Sequence, residues 1–119
     1  MSENKETFTV ASHFDGKALE VRKIYDQLLK ALQRFGPIAE EPKKTSIHLV
    51  HATALAGVAT RQNYIILNIK SDHKLTSPRI HKTEQVSAKR FHCEVKLTSP
   101  ADIDAELTDW LKNAYALSM

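Results

Sequence analysis

The chain predicts a two-layer α+β sandwich: an antiparallel sheet of four to six strands, with an N-terminal and a C-terminal helix packed on one face. Three observations lead there. Apolar residues near both ends recur at three- and four-residue steps, the spacing of a helix with one greasy stripe. Between them, from about residue 45 to 97, the pattern switches to a period of two. The gaps between these alternating runs are short, which favours hairpins and antiparallel pairing.

Taken in order, residues 1–6 are polar and are expected to fray. Residues 9–14 predict one helical turn, with Val10 and Phe14 four apart, broken by Asp15-Gly16. The first long helix is expected over 18–35. Val21, Ile24, Tyr25, Leu28, Leu32 and Phe35 form its buried stripe, and Arg22, Lys23, Asp26, Lys30 and Arg34 take the wet side. Gly36-Pro37 ends it, because glycine permits the left-handed cap and proline cannot continue the helix.

A strand is expected over 45–51, with Ile47 and Leu49 inward and Ser46, His48 and Val50 outward. Residues 54–59 form a weak strand of small side chains, where Gly57 suggests a bulge or a close backbone approach. The strongest strand, 64–70, turns Ile65, Leu67 and Ile69 inward and Tyr64, Ile66 and Asn68 outward. Residues 80–86 read as a polar edge strand. Residues 91–97 alternate, with Phe91, Cys93, Val95 and Leu97 inward and His92, Glu94 and Lys96 outward. Successive strands should therefore form one meander. The last helix is expected to start at Ser99-Pro100-Ala101-Asp102: a capping serine, a proline in the first helical position and an acid at the positive helix end. Ile103, Leu107, Trp110, Leu111 and Ala114 make its buried stripe, and Asp102, Asp104, Glu106 and Asp109 leave an acidic outer face. The pentapeptide Lys-Leu-Thr-Ser-Pro occurs at 74–78 and 96–100, but the residues after each copy diverge at once, so both read as strand-exit punctuation.

Length and composition fit one domain over 1–119: hydrophobic content of 42% and charged content of 26% lie in the globular range. The single cysteine, Cys93, excludes an internal disulfide framework. It is expected in the core, because neighbouring strand residues face opposite ways and His92 cannot easily activate it. No apolar run approaches the roughly 20 residues of a membrane helix, and the start lacks a signal peptide's apolar stretch. A soluble cytoplasmic protein, without membrane association, is the expectation.

Charge is unevenly placed. From residue 43 to 98 there are ten lysines and arginines against three acids, and five of the six histidines, while the whole chain carries only +3. Folded as a sheet, this segment offers a cationic region for an anionic ligand or partner. Lys43, Lys44, Arg61, Arg79 and Lys82 would supply the charge, since arginine forks suit phosphate or carboxylate; His48, Tyr64 and His92 would shape the platform. No glycine-rich phosphate cradle is present. Metal spacings such as Cys-x-x-Cys or His-x-x-x-His are absent too, so neither a cofactor nor a metal is expected. Two other classes stay open. A nucleic-acid partner fits the charge asymmetry, but Tyr64 is the only outward strand aromatic where RNA-binding sheets use two or three. An enzyme could use His48 or His92 as general base, and would need a deep pocket. A monomer, or a homodimer through the exposed edge or Ile66, suits either case.

Three segments carry a family likeness: Glu41-Pro42-Lys43-Lys44-Thr45-Ser46-Ile47-His48-Leu49; Ala56-Gly57-Val58 with Arg61 and Tyr64-Ile65-Ile66-Leu67-Asn68; and Ser77-Pro78-Arg79-Ile80-His81-Lys82-Thr83-Glu84 running on to Arg90-Phe91-His92. From Thr9 onward the chain resembles the bacterial domain-of-unknown-function family 5655, and more distantly the YjbR-like and frataxin-like small domains. The resemblance implies two helices laid on one antiparallel sheet. It singles out Lys43, Lys44, Thr45, His48, Gly57, Arg61, Arg79, Lys82, Thr83, Glu84, Arg90 and His92, and it assigns no activity. The chain departs from the family pattern at Leu55, where an aromatic is expected, at Thr60 for proline, and at Cys93 for a second histidine. Frataxin-type iron handling is not implied, because the acidic helix here is the last one.

Overall fold

The computed structural model describes residues 8–118; the fraying expected over 1–6 lies outside the described residues. A short 3-10 turn (Ala11–Phe14) leads into helix α1 (Leu19–Gln33). Six strands follow: β1 (Ala39–Pro42), β2 (Ile47–Val50), β3 (Ala54–Thr60), β4 (Ile65–Ser71), β5 (Ile80–Ser87) and β6 (Arg90–Leu97). A second 3-10 turn (Pro100–Asp102) precedes helix α2 (Ala105–Leu117). All pairings are antiparallel, in the order β1-β2-β3-β4-β6-β5. The α+β sandwich with one antiparallel sheet and a helix from each end is therefore the architecture.

Alternation decides what is buried. Ile47 and Leu49, Val58, Ile65, Leu67 and Ile69, and Cys93, Val95 and Leu97 are fully buried on one side of the sheet. The helices press Val21, Ile24, Tyr25, Leu28, Leu32, Leu107, Leu111 and Ala114 into the same core. Cys93 thus sits in the core as a small apolar group. The alternate residues His48, Asn68, Lys70, His92 and Glu94 are half-buried on the opposite, helix-free face.

Two expectations need correction. The strands do not form a simple meander: the chain leaves β4, runs through residues 72–79 to the sheet's edge as β5, and returns as β6 between them. Burial explains the order. β6 buries three side chains and belongs inside, whereas β5 is exposed over nearly its whole length and tolerates an edge. The bulge anticipated at Gly57 lies one step away, where Leu49 and Val50 of β2 face Ala56 and Ala54 of β3. Gly57 itself stays in regular register, opposite His48 on one side and Asn68 on the other. The sequence pattern also gave no sign of β1, whose Ala-Glu-Glu-Pro carries no apolar alternation. What fixes β1 is a hydrogen bond from the fully buried Tyr25 of α1 to Glu40, 2.5 Å long. Burial, followed by that carboxylate, holds the Tyr25 hydroxyl well above its ordinary pKa.

The start of the last helix is split in two. Ser99 accepts from the Ala101 amide, while the Asp102 carboxylate accepts from the Ser99 amide, forming a capping box around the 3-10 turn. The chain then bends at Ile103, and Asp104 caps α2 proper by accepting from the Leu107 amide at 3.0 Å. Asp104 also receives Arg79 Nη1 at 2.8 Å, fastening the loop before β5 to the helix. The Leu107 amide first, and Arg79 after it, hold the Asp104 carboxyl below its ordinary pKa of 3.8. Its contribution to stability is therefore complete above that value and is lost as pH falls through the lower folded pKa. Asp104→Ala should cost about 1–2 kcal/mol at neutral pH by loss of the cap. Asp104→Asn, which keeps a capping oxygen, should cost less and should flatten the acid limb of a stability-versus-pH curve measured by urea unfolding.

Candidate functional site

The open sheet face holds a cleft of about 350 Å³. Its shape follows from the residues of β3. This strand offers Ala54, Leu55, Ala56, Gly57 and Ala59 to the lining and no polar side chain, so it forms a low floor. Taller neighbours stand on either side: Ser46 and His48 on and just before β2, and Ile66, Asn68 and Lys70 on β4, with His92 and Glu94 of β6 beyond. Arg61, just past the end of β3, completes the lining. A Cβ added to Gly57 would meet only His48 Cδ2, at 4.0 Å, so the glycine leaves space in the cleft rather than relieving a clash.

Register fixes how these groups face each other. His48, Gly57, Asn68 and Glu94 lie in one row across β2, β3, β4 and β6. The next row pairs Lys70 with His92. Arg61 sits level with Tyr64, joined by the Arg61 amide to the Tyr64 carbonyl at 2.8 Å, and so lies at the opposite end of the cleft from Lys70. Glu94 is engaged by His81 Nε2 at 2.9 Å from the edge strand. Lys70 Nζ reaches the Thr53 hydroxyl at 3.2 Å. Burial, and then the positive charge of Arg90, hold the Lys70 ammonium below the ordinary lysine pKa of 10.5. Among the described residues this ammonium has no anionic partner, and a bound anion would supply one.

Of the residues singled out in the sequence, the cleft brings together His48, Arg61 and His92. It does not bring in Lys43, Lys44, Tyr64, Arg79 or Lys82. Lys43 lies in the turn after β1 and pairs with Glu41 at 3.7 Å, with Lys44 beside it in the same turn. The Arg79 guanidinium is taken up by Asp104 at 2.8 Å and Glu106 at 3.3 Å, and it lies 5.9 Å from the Trp110 ring centroid. Lys82 is exposed on the edge strand. Tyr64 carries Lys96 Nζ over its ring at 4.3 Å, beyond the lining. The five cations expected at one rim are thus spread over four places: the turn after β1, the cleft, the loop held to α2 by Arg79, and the β5 edge. Nor do His48 and His92 form a pair. Their strands are three places apart in the sheet, about 14 Å at the usual strand spacing.

Lys70, Asn68 and Glu94 are the site residues that the charge argument passed over. Lys70 shares the outward parity of Ile66 and Asn68, and that alternation was the signal for it. The cleft itself had a signal too: a strand whose side chains are nearly all small cannot fill its own face.

No helix among the described residues is long and apolar enough to cross a membrane. No curated protein and no solved structure matches the chain. The family model described as a domain of unknown function, DUF5655, matches residues 10–118, nearly the whole fold and every residue of the cleft. The chain belongs to that family.

Proposed function

We propose that the open-face cleft binds a small anionic molecule. The observation that carries this reading is the convergence of Arg61 and Lys70 on one concavity, whose walls add the Asn68 amide and the His48 and His92 imidazoles. Glu94 is the one acid in the lining, and His81 occupies it. Two strong cations, one engaged carboxylate and two imidazoles favour a carboxylate or a phosphate over a cation. A cleft with a few polar groups over an apolar floor is the usual form of a small-molecule site. The reading replaces the wider basic rim, since the cations of that rim have separate tasks or positions. It also favours a small ligand over nucleic acid: the two cleft cations cannot track a phosphate backbone, and the Tyr64 ring, level with Arg61, is covered by Lys96.

Titration calorimetry with acetate, inorganic phosphate and longer carboxylates tests the reading. A bound anion should lose about tenfold or more in affinity on Arg61→Ala or Lys70→Ala, one charge-assisted contact corresponding to roughly 1.4 kcal/mol or more. Gly57→Leu, which fills the floor without touching either cation, should abolish binding and leave the thermal midpoint of the free protein within a few degrees. Arg79→Ala should leave affinity unchanged. Equal affinities in wild type, Arg61→Ala and Lys70→Ala would remove the cleft as the site.

A further inference from the structure

The cleft is two-ended. Arg61 is level with Tyr64 and Lys70 lies six residues further along the same strand, so their backbones stand about 20 Å apart at ~3.3 Å per residue. Both side chains nevertheless line the one cavity. The stretch between them is largely apolar at the floor, with Ala59 and Ile66 toward Arg61 and Ala54 and Leu55 toward Lys70. His48 and Asn68 face each other across Gly57 midway, and Glu94, held by His81, is next in the same row. Neither terminal cation is locked in place. Among the described residues, Arg61 Nη1 donates only to the carbonyl of its neighbour Thr60, at 3.2 Å, and Lys70 Nζ holds one hydroxyl, that of Thr53.

We infer that the ligand class is a linear dianion: an extended molecule with a carboxylate or similar group at each end, one for Arg61 and one for Lys70. This rests on the anion-binding reading of the same cleft and adds the requirement for two charges at a set spacing. A compact anion can satisfy only one end. A chain with two charged ends satisfies both and lays its apolar middle on the alanine floor, where burying methylenes is favourable. Once the first end is held, the second contact is intramolecular, so affinity should peak where the chain length matches the span.

The test is calorimetry on the full chain with straight-chain dicarboxylates from succinate to dodecanedioate, against monocarboxylates of the same lengths. The expected result is a peak at one intermediate length, with the best dicarboxylate at least about tenfold tighter than its monocarboxylate counterpart. Arg61→Ala and Lys70→Ala should each reduce that dicarboxylate to the monocarboxylate's affinity, and Lys70→Arg should restore most of the loss. If monocarboxylates or phosphate bind as tightly as every dicarboxylate, and still depend on Arg61 or Lys70, the anion site stands and the two-ended ligand is wrong. If neither series binds, both the site reading and this inference fall.

Discussion

Leu67→Ala is expected to lower the unfolding free energy by about 3–4 kcal/mol, the largest effect of any single truncation considered for this chain. Leu67 is fully buried and sits midway along β4. It pairs with Val58 of β3 and Val95 of β6, both also fully buried. Both helices pack over this strand, so the void left by truncation is enclosed on every side and little can collapse into it. The neighbouring residue makes the control. Ile66 points to the opposite face, where it is half-buried and lines the cleft. Ile66→Ala should cost about 1 kcal/mol or less, since its site is already open to water, yet it should weaken ligand binding. Urea midpoints at unchanged denaturant slope would record the contrast. A larger loss from Ile66→Ala than from Leu67→Ala would mean that the faces of β4 are assigned the wrong way round.

Gly36→Ala should come second, at about 2–3 kcal/mol, because strain at a backbone position of this kind costs of order 1–3 kcal/mol and a displaced aromatic adds to it. Gly36, three residues past the end of α1, has φ +148°, a region that side chains rarely adopt, and a Cβ there would land on the Tyr115 hydroxyl. Tyr115 has little room to withdraw. Its ring stacks on His51 with centroids 4.4 Å apart, leans on Phe35 at 6.1 Å, and its hydroxyl donates to the Pro37 carbonyl at 3.3 Å. Through His51 and the Ser118 carbonyl, which accepts from the Ala52 and Thr53 amides, the end of α2 is tied to the β2–β3 loop beside the cleft. Tyr115→Phe should cost little alone and should return part of the Gly36→Ala loss by removing the clashing oxygen. A double-mutant cycle measures that coupling. Strictly additive losses would show that Gly36 is required for its backbone alone.

The parts of the fold legible in the sequence are those set by periodicity. The stripe of α1, from Val21 to Leu32, is fully buried as the three- and four-residue spacing requires, and Ile47, Leu49, Ile65, Leu67, Ile69, Val95 and Leu97 fall on one face as alternation requires. Alternation names a strand's faces but not its neighbours. The insertion of β6 between β4 and β5 therefore had to come from comparing strands: the polar run at the edge, the apolar run inside. Edge strand β1 lies outside what alternation can detect, since its place depends on Tyr25, fourteen residues before it, reaching Glu40. Asp104 was legible as part of an acidic face but not as the cap of α2, because the favourable Ser-Pro-Ala-Asp start serves the 3-10 turn instead.

The candidate site divides along the same line. His48 and His92 were readable from parity, and both line the cleft. Total charge was a poorer guide than parity. Arg79 and Lys43 are cations whose partners, Asp104, Glu106 and Glu41, come from the flanking acidic segments, and a count over the middle of the chain cannot see those pairings. Lys70, by contrast, pairs with no acid among the described residues. It follows Asn68 by two residues on the strand that forms the cleft wall, so its position was implied by the pattern even though its role was not. Shape was implied as well, by the run of alanines and one glycine in β3.

Amide chemical-shift mapping while a long dicarboxylate is added to the isotope-labelled protein tests the central claim most directly. Saturable shifts should gather on Ser46, His48, Gly57, Arg61, Asn68, Lys70 and His92, leaving Lys43, Arg79 and Lys82 still. Shifts centred on the β1–β2 turn and the β5 edge, with β3 and β4 unmoved, would contradict it.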